Sequence, residues 1–206
     1  MALELPIDIN SVKGFLANDE GEALYEYALA TAALGPCLEV GSYCGKSTVY
    51  LGAACRTRGN TLYALDHHRG SEEHQLGEEY HDPDLFDNAL HTIDSFPAFR
   101  QTLSRAALEQ TVVPIVASSV IAARHWATPL GMVFIDGGHS FKAAQCDYNS
   151  WATHIVHNGI LAIHDIFPDP ADGGQAPYEI YQQACASGLF KALPTVNTLG
   201  LLQRIG

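Results

Sequence analysis

Five short apolar runs, separated by segments with helical periodicity, constrain the fold of this chain more than any other feature. Each run is about the length of a buried strand. The runs read CLEVGS, TLYALD, VVPIVAS, GMVFID and GILAIHD, at residues 37–42, 61–66, 112–118, 131–136 and 159–165. Strands that alternate with helices predict parallel β-α units, and nearly continuous apolar strands predict a sheet that is covered on both faces.

The segments between and around these runs have the spacing of amphipathic helices. They predict helices at 11–15, 21–34, 46–58, 98–110, 120–126, 141–157 and 178–187. Two later runs, LFKALPT and TLGLLQRI, raise the number of strands to seven, and the second fits an antiparallel strand at the sheet edge. We therefore predict an α/β, Rossmann-like doubly wound fold: a mainly parallel seven-stranded sheet with helices on both faces and an antiparallel edge strand.

Length and charge limit the number of domains and the classes of partner. A chain of 206 residues is long enough for one domain with a full core, so we expect a single domain over residues 1–206, with N-terminal helices over about 1–34. The 11 Lys and Arg residues against 23 Asp and Glu give a net charge of −12, and no basic run occurs. Nucleic acids and anionic membranes bind clustered basic residues, so we expect neither as a partner.

Nothing in the sequence predicts export or membrane insertion. The N-terminal stretch MALELPIDIN lacks the basic region and apolar core of a signal peptide. No apolar run approaches the roughly 18–20 residues that cross a bilayer. The five cysteines are odd in number and form no C-x-x-C pair, which indicates free thiols in a reducing cytoplasm.

One long segment, at about 67–96, interrupts the alternation of strands and helices. It reads HHRGSEEHQLGEEYHDPDLFDNALHTIDSF and is rich in His, Asp and Glu. Connections of this length inside a compact domain are usually functional or disordered. We interpret this insertion as a lid or substrate loop.

The stretch LEVGSYCGKST follows the first predicted strand and opens a helix, which is where open α/β sheets bind ligands. It is close to a phosphate-binding P-loop, but only three residues separate Gly41 and Gly45 where that loop needs four. Glu39 would also bring a carboxylate close to the phosphates. A dinucleotide-binding G-x-G-x-x-G loop is disfavoured because Tyr43 stands at the position of its middle glycine.

An adenosine-type ligand without phosphates, S-adenosylmethionine, fits the same stretch better. Its ammonium group would be attracted by a nearby carboxylate such as Glu39, directly or through water. Asp66 ends the second predicted strand and is well placed to accept hydrogen bonds from both ribose hydroxyls. A lone G-x-x-x-G pattern is weak evidence, but Glu39, Gly41, Gly45 and Asp66 in the same strand-end register are stronger together.

The sequence resembles class I S-adenosylmethionine-dependent methyltransferases. LEVGSYCGKSTVYLG is similar to the first motif of the catechol O-methyltransferase-like enzymes, E-x-G-x-Y-x-G-x-S. The pattern FIDGGHSF…D…W…GILAIHDI resembles bacterial small-molecule O-methyltransferases of the macrocin and cephalosporin-hydroxylase-like group. The resemblance covers about residues 35–167 and implies a small-molecule acceptor. Many relatives associate, so it leaves a homo-oligomer open.

This resemblance implies a set of cofactor-binding residues. Those expected around the methionine moiety are Glu39, Gly41, Ser42, Tyr43, Gly45 and Ser47. Asp66 is expected to bind the ribose, and Ser118 and Ser119 are expected near the adenine. His67 follows the ribose acid and is either a neighbour of the cofactor or a solvated surface histidine.

Two acids close the fourth and fifth predicted strands, Asp136 and Asp165. The alternative role for Asp136 is a purely structural one, as the N-cap of the next helix. Ser140 is as good a cap and lies closer to the helix. The carboxyl ends of neighbouring parallel strands lie about 5 Å apart, so both carboxylates are expected to converge on one hard cation such as Mg²⁺. The resemblance implies the same divalent-metal site.

His164 departs from the acidic or amide residue that the relatives carry before the second acid. Adjacent strand residues point to opposite faces, so His164 and Asp165 both reach a metal only if the strand has ended. An imidazole ligand would shift the preference from Mg²⁺ toward Mn²⁺, Fe²⁺ or Zn²⁺. A packed, hydrogen-bonded histidine is the alternative.

His139 lies three residues after Asp136, where the resemblance implies a catalytic base. A histidine suits proton abstraction from a hydroxyl whose acidity a metal has raised. The alternative is that His139 is a polar residue at a helix N-terminus with no catalytic role. The expected function is divalent-metal-assisted O-methylation of a small molecule, with Mg²⁺ or Mn²⁺ as the metal. A metal-independent methyltransferase with His139 as base and a non-catalytic cofactor-binding module are the other options.

Overall fold

The five apolar runs form the parallel part of a seven-stranded sheet. The computed structural model describes residues 3–71, 82–138 and 140–206. Along the chain, the parallel strands are β1 (Cys37–Val40), β2 (Leu62–Asp66), β5 (Val112–Val116), β6 (Leu130–Ile135) and β7 (Ile155–Ile163). A separate two-stranded antiparallel hairpin is made by β3 (Phe86–Asp87) and β4 (Thr92–Ile93). The predicted fold class is confirmed.

The remaining strands of the large sheet are β8 (Phe190–Ala192) and β9 (Gly200–Arg204), and the sheet order is β5-β2-β1-β6-β7-β9-β8. The antiparallel strand expected at the edge is β9, and it lies one position in from the edge. It pairs with β7 on one side and with β8 on the other, both antiparallel. Its Leu201 and Leu202 are buried on opposite faces, as an internal strand requires, whereas β8 is largely exposed.

Helices cover both faces of the sheet. Those on one face are α1 (Asn18–Thr31), α2 (Lys46–Arg58) and α3 (Phe96–Arg105). Those on the other are α4 (Ser119–Ala123), α5 (Phe141–Trp151) and α6 (Ala176–Ala186). Alternate strand residues feed the two cores: Met132 and Phe134 of β6 face α1 to α3, and Val133 and Ile135 face α5 and α6.

The predicted helices at 21–34, 98–110 and 120–126 are present with ends shifted by one to five residues, and two others differ in kind or in the strand that follows. The helix expected at 141–157 ends at Trp151, and β7 already begins at Ile155. The prediction was too long because Ile155 continues the apolar helical spacing, although its side chain belongs to the sheet. The helix expected at 11–15 is instead a 3-10 turn at Ile9–Ser11, followed by extended chain. Among the described residues, no helix is both long enough and apolar enough to cross a membrane.

The insertion predicted at 67–96 is described at 67–71 and 82–96, and residues 72–81 lie outside the described residues. Its later part contains a short 3-10 helix at Pro83–Leu85 and the β3–β4 hairpin. Lys13 of the N-terminal segment contacts this part through ion pairs of 2.6 Å to Asp82 and 2.9 Å to Asp84. The N-terminal segment and the insertion therefore meet beside the end of the sheet.

Gly41, the first residue after β1, is required by a close approach of two strand ends. Its φ of 87° lies in the left-handed region that favours glycine. A Cβ built on Gly41 would also lie only 2.0 Å from the backbone oxygen of Asp136, which follows β6. This packing brings the glycine loop against the residue that the sequence proposed as a metal ligand.

Glu39 lies in β1 and points to the α2 side of the sheet. Its carboxylate is fully buried and accepts hydrogen bonds from Ser47 Oγ at 2.5 Å and Thr48 Oγ1 at 2.6 Å, both in the first turn of α2. Burial raises the pKa of Glu39 to about 8, although the two hydroxyl donors oppose this rise. Glu39 thereby fixes α2 against β1, directly beneath the glycine loop.

We expect Gly41→Ala to destabilise the protein more than Gly59→Ala. Gly59 also has a positive φ, of 63°, but a Cβ there meets nothing within 4 Å, so it reports left-handed strain alone. That strain costs about 1–2 kcal/mol. Urea unfolding should give a loss of this size for Gly59→Ala and a larger loss for Gly41→Ala. Equal losses of unfolding free energy in the two variants would mean that the ends of β1 and β6 can move apart to accommodate a Cβ at Gly41.

Glu39→Gln should flatten the pH dependence of stability. The folded-state pKa of about 8 lies above the ordinary value of 4.5, so the proton stabilises the folded state at low pH and this contribution is lost as pH rises through about 8. Between pH 5 and pH 8.5, the free energy of unfolding of the wild type should fall by more than about 1 kcal/mol relative to the variant. Parallel curves would show that Glu39 titrates normally.

Candidate active site

A cavity of about 880 Å³ lies beyond the carboxyl ends of the parallel strands. Its floor consists of the residues that follow β1, β2, β6 and β7, and the N-terminal segment and the start of the insertion form parts of its walls. This is the position at which doubly wound sheets bind their ligands, and the volume is in the range of small-molecule sites.

Four residues of the cavity form a row across the sheet. In the strand registers, Val40 pairs with both Leu65 and Ile135, and Ile135 pairs with Ile163. The residues that follow these paired positions are therefore aligned with one another across the sheet. They form the row Asp66, Gly41, Asp136 and His164. Backbone hydrogen bonds extend the ladder into this row, from Gly41 N to Leu65 O at 2.9 Å and from Asp136 N to Val40 O at 2.8 Å.

Most of the predicted site residues line this cavity. They are Gly41, Ser42, Tyr43, Ser47, Asp66, His67, Ser118, Ser119, Asp136, His164 and Asp165. Glu39 and Gly45 do not: Glu39 lies beneath the loop, and Gly45, with φ of 94°, precedes the first turn of α2 and packs near Phe99 and Thr102. His139, the predicted base, lies outside the described residues.

Ser42 has a property that suits a ligand-binding loop. Its hydroxyl is buried and makes no hydrogen bond to the described protein atoms, although Ser42 lines the cavity. A buried hydroxyl without a partner costs about 1–3 kcal/mol, and because this oxygen is shielded from the cavity, a small shift of the loop would let a polar ligand group reach it and remove the cost. The glycine loop therefore fits a polar ligand such as the amino-acid end of S-adenosylmethionine.

Asp66 holds the glycine loop and the start of the insertion together. Its Oδ2 accepts from Tyr43 N at 2.8 Å, and its Oδ1 accepts from His68 N at 2.7 Å. Tyr43 and His68 both have positive φ, of 44° and 57°, so these bonds stabilise two unfavourable backbone conformations. Each carboxylate oxygen can accept a second hydrogen bond, which leaves capacity for the two ribose hydroxyls.

Asp136, His164 and Asp165 converge at the other end of the row. One potential ligand atom from each lies within 4.8 Å of the others. His164 Nδ1 is 3.0 Å from Asp136 Oδ1 and 3.4 Å from Asp165 Oδ1. Two carboxylates and one imidazole nitrogen are a donor set for a divalent cation, so these residues fit the metal implied by the family resemblance.

His164 and Asp165 both face the cavity because β7 ends at Ile163, one residue before the pair. Asp165 has a φ of 56°, which lies in the left-handed region and is unusual for a residue other than glycine. This conformation turns the chain after His164 and removes the strict alternation of a strand. The strand ending that the sequence required for a shared site is present.

The charge of His164 is set by surrounding acids. Burial alone would lower its pKa, but the charge of Asp136 and hydrogen bonds to Asp136, Asp165 and Glu20 raise the pKa of His164 to about 12. Glu20, of α1, lies 3.0 Å from His164 Nε2 through its Oε2. Burial tends to raise the pKa of Glu20, but its contacts with His164, Thr198 and Ala17 lower it by more. The pKa of Glu20 is therefore below its ordinary value.

Glu20 and Asp147 are site residues that the sequence interpretation did not assign. No sequence signal points to Glu20, since 144 residues separate it from His164. Asp147 lines the cavity, hydrogen-bonds with Ser119, and has its pKa raised by burial against that bond. The pattern FIDGGHSF…D…W already contained Asp147, so its place in the motif was a usable signal.

Phe15 and Lys13 add a wall that the sequence did not suggest. Phe15 is 69% exposed, lines the cavity and stacks on Tyr43 with ring centroids 6.4 Å apart. Lys13 lines the same wall and connects it to the insertion. The extended chain between the 3-10 turn and α1 therefore brings an aromatic face to the mouth of the cavity.

Comparison with known proteins agrees with this geometry. Residues 38–166, more than half of the chain, match the family described as a methyltransferase domain. Three similar solved structures are the O-methyltransferase NovP, the O-methyltransferase TomG from Streptomyces achromogenes in complex with S-adenosylmethionine, and an O-methyltransferase from Bacillus cereus in complex with S-adenosylhomocysteine.

All three likenesses are distant in sequence and extensive in structure. NovP is 14% identical with a TM-score of 0.67, covering 91% of this chain and 80% of NovP. TomG is 14% identical at 0.64, covering 93% and 82%, and the Bacillus cereus protein is 14% identical at 0.63, covering 96% and 85%. The chain belongs to the methyltransferase domain family, and its resemblance to class I S-adenosylmethionine-dependent methyltransferases is confirmed.

Proposed function

We propose that the protein transfers the methyl group of S-adenosylmethionine to a hydroxyl oxygen of a small molecule, with help from a divalent cation. The observation that carries this proposal is the row across the sheet, which brings Gly41 and Asp66 into one cavity with Asp136, His164 and Asp165. A cofactor-binding half and a candidate cation-binding half are thus adjacent, as methyl transfer to a weakly acidic hydroxyl requires.

The cofactor lies along the row in this proposal. Ser42, Tyr43 and Ser47 surround its methionine end, and the unpartnered Ser42 hydroxyl gains a hydrogen bond there. Asp66 accepts from the ribose hydroxyls, with His67 beside it. Ser118, Ser119 and Asp147 form the polar surface around the adenine. The TomG and Bacillus cereus structures, which contain S-adenosylmethionine and S-adenosylhomocysteine respectively, support this cofactor.

Asp136, Asp165 and His164 hold the cation in this proposal. A divalent cation bound there, Mg²⁺ or Mn²⁺, would supply Lewis acidity that lowers the pKa of the acceptor hydroxyl. The chain itself orients the hydroxyl in line with the methyl group, and His139 takes up the proton. Glu39 acts beneath the loop by holding α2 in place and does not contact the cofactor directly.

The charge of the cavity favours a neutral or cationic acceptor. The acids that line it are Asp66, Asp136, Asp147, Asp165 and Asp172, and the positive side chains are Lys13, Lys46 and the protonated His164. Lys13 is already paired with Asp82 and Asp84. A nucleic acid or a polyphosphate would be repelled by this surface, whereas a small phenol, catechol or sugar hydroxyl would not.

The insertion, together with the N-terminal segment, covers the acceptor in this proposal, within one methyltransferase domain over residues 1–206. Phe15 supplies an apolar face for the acceptor. A cytoplasmic location fits the five cysteines, all of which are free.

Isothermal titration with S-adenosylmethionine tests the cofactor assignment. We expect saturable binding, and Asp66→Ala should weaken it by about 10- to 100-fold because hydrogen bonds to a charged group contribute about 1.5–3 kcal/mol. Asp169→Ala is a matched control: Asp169 is also a carboxylate that accepts a backbone amide, from Ala171, but it lies outside the cavity. Absence of cofactor binding, or an Asp66→Ala variant with full affinity, would overturn the assignment.

Metal removal tests the cation half. Treatment with a chelator should abolish most transfer to the methyl acceptor, measured as release of S-adenosylhomocysteine with a panel of phenols, catechols and sugars. Added Mn²⁺ or Mg²⁺ should restore the wild type, and Asp165→Asn should respond at least about 10-fold less to added metal. Asp169→Asn should behave as wild type. Turnover that survives both chelation and Asp165→Asn would favour metal-independent catalysis by His139.

A further inference from the structure

Glu20 is a buried carboxylate with no surface in the cavity and with both oxygens fully engaged. It is 2% exposed and lies in the first turn of α1. Its Oε1 accepts from Thr198 N at 2.9 Å and from Thr198 Oγ1 at 2.8 Å. Its Oε2 accepts from Ala17 N at 3.0 Å and lies 3.0 Å from His164 Nε2. The carboxylate is therefore held by two elements before it meets the imidazole.

The ring of His164 is fixed from both of its nitrogens. Nε2 faces Glu20, and Nδ1 faces Asp136 and Asp165. Phe134 packs edge-on against the ring, with centroids 6.2 Å apart. An ionised carboxylate is an acceptor only, so Glu20 requires a proton on Nε2. By the same rule, Asp136 holds a proton on Nδ1 in the metal-free site. A cation bound by the two aspartates would displace this Nδ1 proton, whereas the contact with Glu20 keeps the proton on Nε2, so the lone pair would face the cation.

We propose that Glu20 is a positioning residue that holds His164 as a nitrogen ligand, so that the site prefers a transition cation such as Mn²⁺ or Co²⁺ to Mg²⁺. This inference rests on the proposed metal-assisted function and specifies its metal. Imidazole favours transition cations, whereas Mg²⁺ prefers oxygen ligands. A carboxylate on the far nitrogen of a ligating histidine fixes the ring and its tautomer.

Helix capping and attachment of the β8–β9 connection are a competing explanation for Glu20. Those roles use Ala17 and Thr198 only, and neither needs Oε2 to lie against His164. The two explanations differ in what happens at the imidazole. The side-chain amide of Glu20→Gln can donate to Nε2, which would move the remaining ring proton to Nδ1 and block the ligand lone pair.

The first test measures Mn²⁺ binding to the full chain by electron paramagnetic resonance, in the absence of cofactor and acceptor. We expect Glu20→Gln to bind Mn²⁺ about 10- to 100-fold more weakly than the wild type. Two matched controls should keep wild-type affinity. Asp19→Asn removes the neighbouring carboxylate that contacts Asn197, and Thr198→Val removes one hydroxyl partner of Glu20 but not its contact with His164.

The second test asks whether the ligand is a nitrogen and whether it sets the preference. Pulsed electron paramagnetic resonance of the Mn²⁺ complex should show coupling to a nitrogen nucleus in the wild type and both controls, and not in His164→Asn. The ratio of Mn²⁺ to Mg²⁺ affinity should be well above 1 in the wild type and should fall in His164→Asn, which offers an oxygen. This second variant carries the test if Glu20→Gln does not fold.

The outcomes separate the inference from the proposed function. Wild-type Mn²⁺ affinity in Glu20→Gln, or a wild-type Mn²⁺ complex without nitrogen coupling, would overturn the inference and leave metal-assisted methylation standing. Equal loss of affinity in Glu20→Gln and Thr198→Val would reduce Glu20 to a structural anchor and also overturn it. A wild type that binds no divalent cation would instead refute the metal half of the proposed function, while cofactor binding would still be testable.

Discussion

The in-register parallel pairing of β1 with β2 and with β6 is the constraint on which the rest of the site depends. Because Val40 is level with both Leu65 and Ile135, the residues that follow each strand emerge side by side. Gly41 permits the approach of β1 to β6, since a side chain there would collide with the backbone of Asp136. A shift of one residue in either pairing would separate Asp66 from the glycine loop or send Asp136 to the other face.

Much of this arrangement follows from sequence pattern. Apolar runs of strand length separated by helical periodicity were sufficient for the fold class, since both patterns reflect burial that the sheet actually provides. The meeting of Asp136 and Asp165 could be predicted from strand ends alone, although their role as ligands stays a prediction. Whether His164 joins them depended on where β7 ends and on the left-handed φ of Asp165, and neither is visible in residue spacing.

Other features were beyond reach for identifiable physical reasons. The contact between Glu20 and His164 joins a residue of α1 to the residue that follows the fifth parallel strand, so no local pattern encodes it. The sequence predicts that Glu39 attracts the ammonium group of the cofactor, directly or through water, and this role stays a prediction, but residue spacing does not show what surrounds Glu39. Its position inside β1 points the side chain into the core beneath α2, where Ser47 and Thr48 bind it. The boundary between α5 and β7 was misplaced because Ile155 satisfies both periodicities.

The hydrogen bond between Glu20 and Thr198 makes the support of His164 depend on a part of the chain that is synthesised late. Thr198 follows Glu20 by 178 residues, and it precedes β9, the strand that pairs with β7. The strands β1, β2 and β6, which position the glycine loop and Asp66, leave the ribosome earlier. The support for His164 is completed only after the much later β9 region has emerged and docked. A nascent chain therefore contains the residues of the glycine loop and Asp66 well before it contains Thr198, which holds Glu20 against the imidazole.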